Sequence, residues 1–262
     1  MKILSIVSSM RKKGNTNNTV DFIVEELIKK LDQKLLTKEK LFLGDYNIQY
    51  CRGCRVCFNS EEEICPLKDD LLNIRDKILD SDIIIIGSPV YVEDINGIMK
   101  NWIDRMAFNN HRPAFAGKTV FIVTTSGIGS SNHALKTMKK ALTAWGFYVI
   151  GQSNFRTGSL MKIKDLKQKY KKKISKITNE IKNTVINDEV NNPKFYSLIS
   201  FRVQQKYWQK NSKKKKETYD YNYWDEKGWL DSNCNYYNKN CSNIIKVKTA
   251  RIIGNIISMF FI

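Results

Sequence analysis

The sequence predicts an α/β fold, a parallel five-stranded sheet covered by helices on both faces, with a helical and aromatic C-terminal extension. Three observations carry this expectation. Up to about Arg156, short apolar runs alternate with runs of helical length and period. The apolar runs are nearly continuous rather than alternating, as in strands buried on both faces of a parallel sheet. A chain of 262 residues with 42% hydrophobic content is also long and apolar enough for one such domain plus an extension.

The elements follow in order. KILSIVS at 2–8 reads as a buried strand, and NTVDFIVEELIKKL at 18–31 as a helix with Val20, Ile23, Val24, Leu27, Ile28 and Leu31 on one face. EKLFLG at 39–44 is a second strand, and DDLLNIRDKIL at 69–79 a helix leading to the strongest strand, DIIIIGSPV at 82–90. A helix from about Gly97 to Met106, the strand KTVFIVTTS at 118–126, the helix HALKTMKKALTAW at 133–145 and the strand FYVIGQSNF at 147–155 complete the alternation. A lysine-rich helix from about Lys162 to Ile186 closes the domain, so the expected division is 1–187 and 188–262.

Beyond NNP at Asn191–Pro193 the chain turns aromatic and basic, with KKKK at Lys213–Lys216 followed by YDYNYWDEKGWL. Tyr219, Tyr221, Tyr223, Trp224 and Trp229 read as a segment packed across a surface, with a lid over a bound ligand as the sharper alternative. In the last segment, Ile244–Ile262, Lys248, Arg251, Asn255 and Ser258 share one narrow face, while Ile245, Ile252, Ile253, Ile256, Ile257 and Phe260 fill the opposite side. A spanning helix needs about 20 mostly apolar residues, whereas this segment carries three cations. It is expected to bury its apolar side on its own domain or on a second subunit, giving a homodimer or larger assembly, and membrane association is not expected.

The net charge of +18 is uneven: residues 1–160 hold 22 Lys+Arg against 17 Asp+Glu, so +13 belongs to residues 161–262. A chain rich in Lys, Asn and Ile throughout reads as a solvated basic surface, and specific nucleic-acid recognition is not expected. The opening KILSIVSS lacks the order of a signal peptide, and a reducing, cytoplasmic location is expected. The six cysteines then read as thiols or metal ligands rather than disulfides.

Ligands of open α/β sheets bind beyond the carboxyl ends of the strands. The loop after the first strand, SSMRKKGNT at Ser8–Thr16, offers hydroxyls, the Asn15 amide, a helix N-terminus and Arg11, which together suit a phosphate. Its spacing is neither a Walker loop nor the dinucleotide fingerprint. GSPVYVEDINGIMK at 87–100 places a proline and an aromatic ring directly after a buried strand.

Together with TTSGIGS at 124–130, in this order and at these separations, the two loops resemble the NAD(P)H-dependent FMN reductase branch of the flavodoxin-like proteins. The resemblance covers about Met1 to Ile186. It implies a flavodoxin-like three-layer sandwich of strand order 2-1-3-4-5, with FMN as cofactor. It implies that Ser9, Arg11, Asn15 and Thr16 hold the phosphate, and that Pro89, Val90 and Tyr91 line the isoalloxazine and ribityl chain. Thr125, Ser126 and Gly127, with Gly129, would close over the ring edge. Ser8 and Met10 stand where the family commonly has Gly and Pro. Lys100, Asp104 and Arg105 match too, and suit helix capping and scaffold ion pairing as well as ligand contact.

Cys51, Cys54, Cys57 and Cys65 are spaced C-x2-C-x2-C-x7-C, with Pro66 after the last. Two-residue spacers let successive thiolates converge, and compact runs of this kind hold iron–sulfur clusters. The spacing resembles the iron–sulfur flavoproteins of this fold, which implies a 4Fe-4S cluster near FMN. Zinc, a redox dithiol or disulfide and unligated thiols remain open, and SEEE at Ser60–Glu63 gives the loop an acidic middle expected to be flexible. Cys234 and Cys241 read as unligated, with His111 and His133 far off in sequence.

The function this implies is an FMN-dependent oxidoreductase. It would move electrons from NAD(P)H or a reduced redox protein to a small-molecule or protein acceptor, through a cluster if one is present. No catalytic acid or base is required. The alternative is a non-enzymatic electron-transfer protein that shuttles electrons between partners.

Overall fold

The computed structural model describes residues 1–31, 36–211, 218–238 and 243–261. Its strands are β1 (Lys2–Val7), β2 (Thr37–Phe42), β3 (Ile83–Tyr91), β4 (Asp94–Ile95), β5 (Thr119–Ser126) and β6 (Tyr148–Arg156). Its helices are α1 (Asn15–Ile28), α2 (Val56–Asn59), α3 (Leu71–Leu79), α4 (Gly97–Arg105), α5 (Asn132–Ala144), α6 (Ile163–Ile186), α7 (Phe195–Lys210), α8 (Tyr219–Glu226) and α9 (Ile244–Phe261). The five long strands pair in parallel in the order β2-β1-β3-β5-β6, which is the expected 2-1-3-4-5. The sequence reading lacked β4, two residues that fold back antiparallel on the end of β3 through Tyr91 and Asp94.

Period-two alternation divides the strands between two cores. Leu4, Ile6, Ile84, Ile86 and Ile122 face Ile74, Met99, Trp102, Met138 and Leu142 of α3, α4 and α5. Ile3, Ile83, Ile85, Phe121 and Val123 face Val20, Ile23, Leu27, Ile174 and Ile181 of α1 and α6. The apolar stripe expected on α1 is thus the buried one, with Ile28 only half-buried at its end. Gly87 makes the close approach of α1 possible: a Cβ there would stand 2.7 Å from Val20 Cγ2.

The extension has a core of its own. Leu198, Phe201, Trp208, Trp224, Trp229, Tyr236, Val247 and Ala250 are buried together, with Trp224 stacked on Phe201 at 5.6 Å between ring centroids. The aromatic run is therefore a packed segment.

Helix α9 does not bury its apolar side on its own domain, the first of the two expected alternatives. Ala250, Gly254 and Ser258 are buried, and Asn255 Oδ1 accepts a hydrogen bond of 2.7 Å from Nε of the buried Arg202. Ile245, Ile252, Met259 and Phe260 are 60–81% exposed, and Ile256 is 50% exposed. Small residues at four-residue intervals explain this, because they let α7 approach closely enough for Arg202 to reach its partners. A Cβ on Gly254 would lie 2.7 Å from Arg202 Cβ and 3.3 Å from the Ile199 carbonyl. The KKKK run and Cys241 lie outside the described residues. Among the described residues no helix is long and apolar enough to cross a membrane.

Gly254→Val should overpack the α7–α9 contact at a cost of about 1–3 kcal/mol. Amide exchange would show faster opening of α7 and α9 with the sheet strands unchanged. Unaltered exchange in those helices would refute the close contact.

Candidate functional site

A cleft of about 300 Å³ opens at the carboxyl ends of the strands. The loop after β1 contributes Ser9, Arg11, Gly14, Asn15 and Thr16, the end of β3 Pro89, Val90 and Tyr91, and the end of β5 Thr125, Ser126 and Gly127. These three segments bring together all ten residues nominated as cofactor-binding. A fourth loop, Thr157, Gly158 and Ser159 after β6, lines the same cleft and was missed. Its small polar residues following a strand were the available signal. No described residue of the extension lines the cleft of its own chain, so its aromatics form no lid there.

The end of the cleft formed by the loop after β1 is built around α1. Gly14 is its N-cap and no side chain caps the helix, so the first-turn N–H groups are left for another acceptor. The Gly14 N–H donates to the Arg11 carbonyl at 2.8 Å, and a Cβ on Gly14 would sit 2.9 Å from that oxygen, so the tight turn needs glycine. The loops are tied to one another. Thr16 Oγ1 and Thr125 Oγ1 are 2.6 Å apart, and Asn15 Nδ2 donates to the Gly158 carbonyl at 3.0 Å. Ser8 points inward instead, donating from Oγ to Asn96 Oδ1 at 2.8 Å.

Beside the cleft, the turn between β3 and β4 consists of Val92 and Glu93, with φ of 50° and 62°. Two positive φ values fit a tight hairpin but suit Asn and Gly, so a β-branched valine there holds strain. Glu93 Oε1 accepts a 3.4 Å hydrogen bond from the Ser130 N–H, drawing the loop after β5 toward the hairpin. Gly129 borders Glu93 and is not part of the cleft wall.

The cysteine loop leaves the sheet after β2. Gly53 and Arg55 take left-handed backbone conformations, which curl the segment between Cys51 and Cys57. Cys51 and Cys54 are exposed, while Cys57 and Cys65 are half-buried. Burial pushes the Cys57 thiol pKa up, with Cys65, Cys51 and Cys54 adding to the shift and Arg112 opposing it. Among the described residues no group of three His, Cys, Asp or Glu side chains stands in a metal-ligating arrangement. The donor set is nonetheless all sulfur on one short loop, which is chemically suited to iron–sulfur or zinc.

The acidic middle of this loop is held rather than loose. Arg75 Nη1 donates to Glu62 Oε1 at 2.9 Å and Glu63 Oε1 at 2.6 Å, and Arg112 Nη2 donates to Glu62 Oε2 at 2.7 Å. Burial opposes ionisation of Glu63, but the Arg75 hydrogen bond, a backbone hydrogen bond and the nearby Arg75 and Arg112 charges together outweigh it and keep this carboxyl below its usual range.

Helix α4 joins the two regions. At its start Asn96 caps the Met99 N–H and donates from Nδ2 to the Ser8 carbonyl at 2.7 Å. Farther along, Asn101 Nδ2 donates to the Ile48 carbonyl at 2.9 Å and Arg105 Nη1 to the Gln49 carbonyl at 2.8 Å. Arg105 pairs with Asp69, both side chains almost wholly buried, and its Nη2 lies 4.0 Å from Cys65 Sγ. Lys100 and Asp104 form a surface i,i+4 pair at 2.7 Å. None of these three residues lines the cleft, and the scaffold reading holds for each. Cys234 Sγ is 3.3 Å from the Tyr236 carbonyl.

The Asp69–Arg105 pair has a signed pH dependence. Burial alone would raise the Asp69 pKa, but hydrogen bonds from Arg105 and from the Gln49 and Leu71 N–H groups lower it overall. Its stabilisation is therefore present above the unfolded carboxyl pKa of about 3.9 and is lost as pH falls through the lower folded value. Asp69→Asn should cost about 3–5 kcal/mol at pH 7 by stranding Arg105. Urea unfolding should show the gap to wild type closing as pH falls through the lowered folded value; a gap independent of pH would contradict the pairing.

Comparison with known proteins agrees with this geometry. The family model described as NADPH-dependent FMN reductase matches residues 1–159. An iron-sulfur flavoprotein of Archaeoglobus fulgidus is 34% identical over 152 residues, covering 58% of this chain and 66% of the relative. A second from the same organism is 34% identical over 149 residues, covering 56% and 69%. An iron-sulfur flavoprotein of Clostridioides difficile is 27% identical over 203 residues, covering 76% and 85%. The chain thus spans about two thirds of the length of the Archaeoglobus relatives. Among solved structures, a flavone reductase aligns with a TM-score of 0.53 at 14% identity, covering 72% of this chain and 63% of that one, a likeness of fold alone. With its family match spanning more than half of its length, and with four loops of an α/β sheet converging on one cleft, the chain belongs to the NADPH-dependent FMN reductase family of flavodoxin-like proteins.

Proposed function

We propose that this protein is an FMN-dependent oxidoreductase that takes electrons from NAD(P)H or a reduced redox protein and delivers them to a small acceptor or redox partner. The uncapped N-terminus of α1, at the cleft shared by Ser9, Arg11, Asn15 and Thr16, carries the reading, because it supplies the donors an anionic phosphate needs. FMN, when bound, supplies hydride acceptance and single-electron release. The chain's part is to hold and orient it. Arg11 and the α1 N–H groups bind the phosphate, the Thr16–Thr125 contact fixes the distance between two loops, and Pro89, Val90 and Tyr91 form one wall. Ser126 and Gly127 follow Thr125, the sheet partner of Pro89, and line the same cleft. No side-chain acid or base is assigned a step.

Cys51, Cys54, Cys57 and Cys65 are proposed to hold a 4Fe-4S cluster as a second redox centre. The all-sulfur donor set supports this, as does the printed description of several relatives as iron-sulfur flavoproteins. That loop favours the second reading, an electron-transfer protein working between protein partners. Residues 188–262 are proposed as an accessory unit with their own core, and the outward apolar face of α9 supports a homodimer or larger assembly. A cytoplasmic location fits a chain that relies on reduced thiols.

The deciding measurement is an anaerobic absorbance spectrum with flavin, iron, zinc and acid-labile sulfide determined on one sample. One FMN and four irons per chain are expected. Flavin without iron would remove the cluster, and failure to bind flavin on reconstitution would remove the whole reading. Arg11→Ala should weaken FMN binding about tenfold or more, since a hydrogen bond to a charged group contributes ~1.5–3 kcal/mol; fluorescence titration reads this. Light scattering should give a dimer or larger that Ile252→Lys and Ile256→Lys dissociate, and a monomeric wild type would end that part of the proposal.

A further inference from the structure

The cysteine loop has little structure of its own with which to place its ligands. Helix α2, which carries Cys57, is four residues long and buries none of them, and so short a helix has no independent stability. Cys57 must therefore be positioned from outside the loop. The group that does so is Arg112, whose side chain is 2% exposed.

Its guanidinium reaches three separate stretches of chain. Nη2 donates to the Cys57 carbonyl at 2.6 Å and to Glu62 Oε2 at 2.7 Å, while Nη1 pairs with Asp220 of α8. The cation also stands over the Tyr219 ring at 5.0 Å, another residue of α8. Asp220, itself 4% exposed in its side chain, accepts on its other oxygen from His111 Nδ1 at 2.6 Å. The His111 ring packs on Phe58, the neighbour of Cys57, at 4.8 Å between centroids, and Trp224 Nε1 donates to the His111 carbonyl at 2.6 Å. A buried cation needs a charge partner and filled donors. Here carboxylates come from both sides, Asp220 from the extension and Glu62 from the loop, and Nη2 also reaches the Cys57 carbonyl, while Nε is buried without a hydrogen-bond partner.

We propose that the extension is a strut for the cysteine loop: Asp220 holds Arg112, and Arg112 is the positioning residue that sets where Cys57 and the 56–65 segment stand. Its consequence for metal retention rests on the cluster reading above, whereas the strut itself does not. This assigns the otherwise unexplained aromatic unit a role at the second redox centre rather than at the flavin cleft.

The test uses the full chain with two variants that cut the strut from opposite sides, Asp220→Asn in the extension and Glu62→Gln in the loop. The metal-free protein is followed by amide exchange of residues 56–65 and by the rate of iodoacetamide modification at each cysteine, mapped by mass spectrometry. Both variants should modify Cys57 about tenfold faster, equivalent to ~1.4 kcal/mol of local opening. Cys51 and Cys54, already exposed, should stay within about twofold, and in Glu62→Gln the amides of α7 should keep their protection, which separates positioning from general loosening. After anaerobic reconstitution with iron and sulfide, both variants should release iron to a chelator faster than wild type. If wild type takes up no iron, the cluster reading fails and the thiol and amide rates still judge the strut. Should Asp220→Asn not fold, Glu62→Gln alone decides. Cys57 modification within about twofold of wild type in the folded variants would overturn the proposal.

Discussion

The arrangement of this molecule depends on α4 being fastened at both ends. At one end Asn96 exchanges hydrogen bonds with Ser8 inside the loop after β1, and at the other Arg105 and Asp69 form a buried ion pair beneath the start of the cysteine loop. A nine-residue helix is about 13 Å long, so the two attachments hold two otherwise separate loops at a defined spacing. Neither end lines the cleft. Both are buried polar interactions, which lose far more when one partner is removed than they contribute as intact pairs.

The two regions are stabilised by different physics. Backbone geometry dominates the cleft, through a glycine that lets the loop close on itself, a helix end with free donors, and hydroxyl contacts between neighbouring loops. The cysteine loop has no comparable backbone framework and is organised by charge. Arg75, Arg105 and Arg112 each meet carboxylates in or beside it, and each also faces partial or full burial. Such pairs are specific in direction while adding modest net stability. A loop of this kind holds its shape as long as all its partners are present.

The extension illustrates how sequence pattern and packing can point in opposite directions. By hydrophobicity alone the isoleucine side of α9 should be buried, yet Ala250, Gly254 and Ser258 face α7. Close approach of backbones gained through small residues, together with satisfaction of the buried Arg202, decides the inward face, and the isoleucines are left outside. In this arrangement an apolar face is available to a further surface while the unit keeps its own aromatic core.

Much of the architecture was legible in the order of residues. The uninterrupted run Ile83–Ile86, the stripe from Val20 to Leu27 and the loop Ser8–Thr16 determined a buried parallel sheet, a covering helix and one wall of the cleft, because strand and helix periods are local properties. The spacing of Cys51, Cys54, Cys57 and Cys65 likewise determined a sulfur-rich loop. What the sequence left open involves partners distant along the chain. Asn96 with Ser8, Arg105 with Asp69, and Arg112 with both Glu62 and Asp220 are separated by 36 to 108 residues. No local pattern marks one charged residue as another's partner, and the inward face of α9 depends on what α7 presents to it. The sequence by itself determined the layers, three of the loops that line the cleft and the cysteine spacing. Tertiary structure alone decided which charges are buried together, because that depends on three-dimensional proximity and desolvation rather than on period or composition.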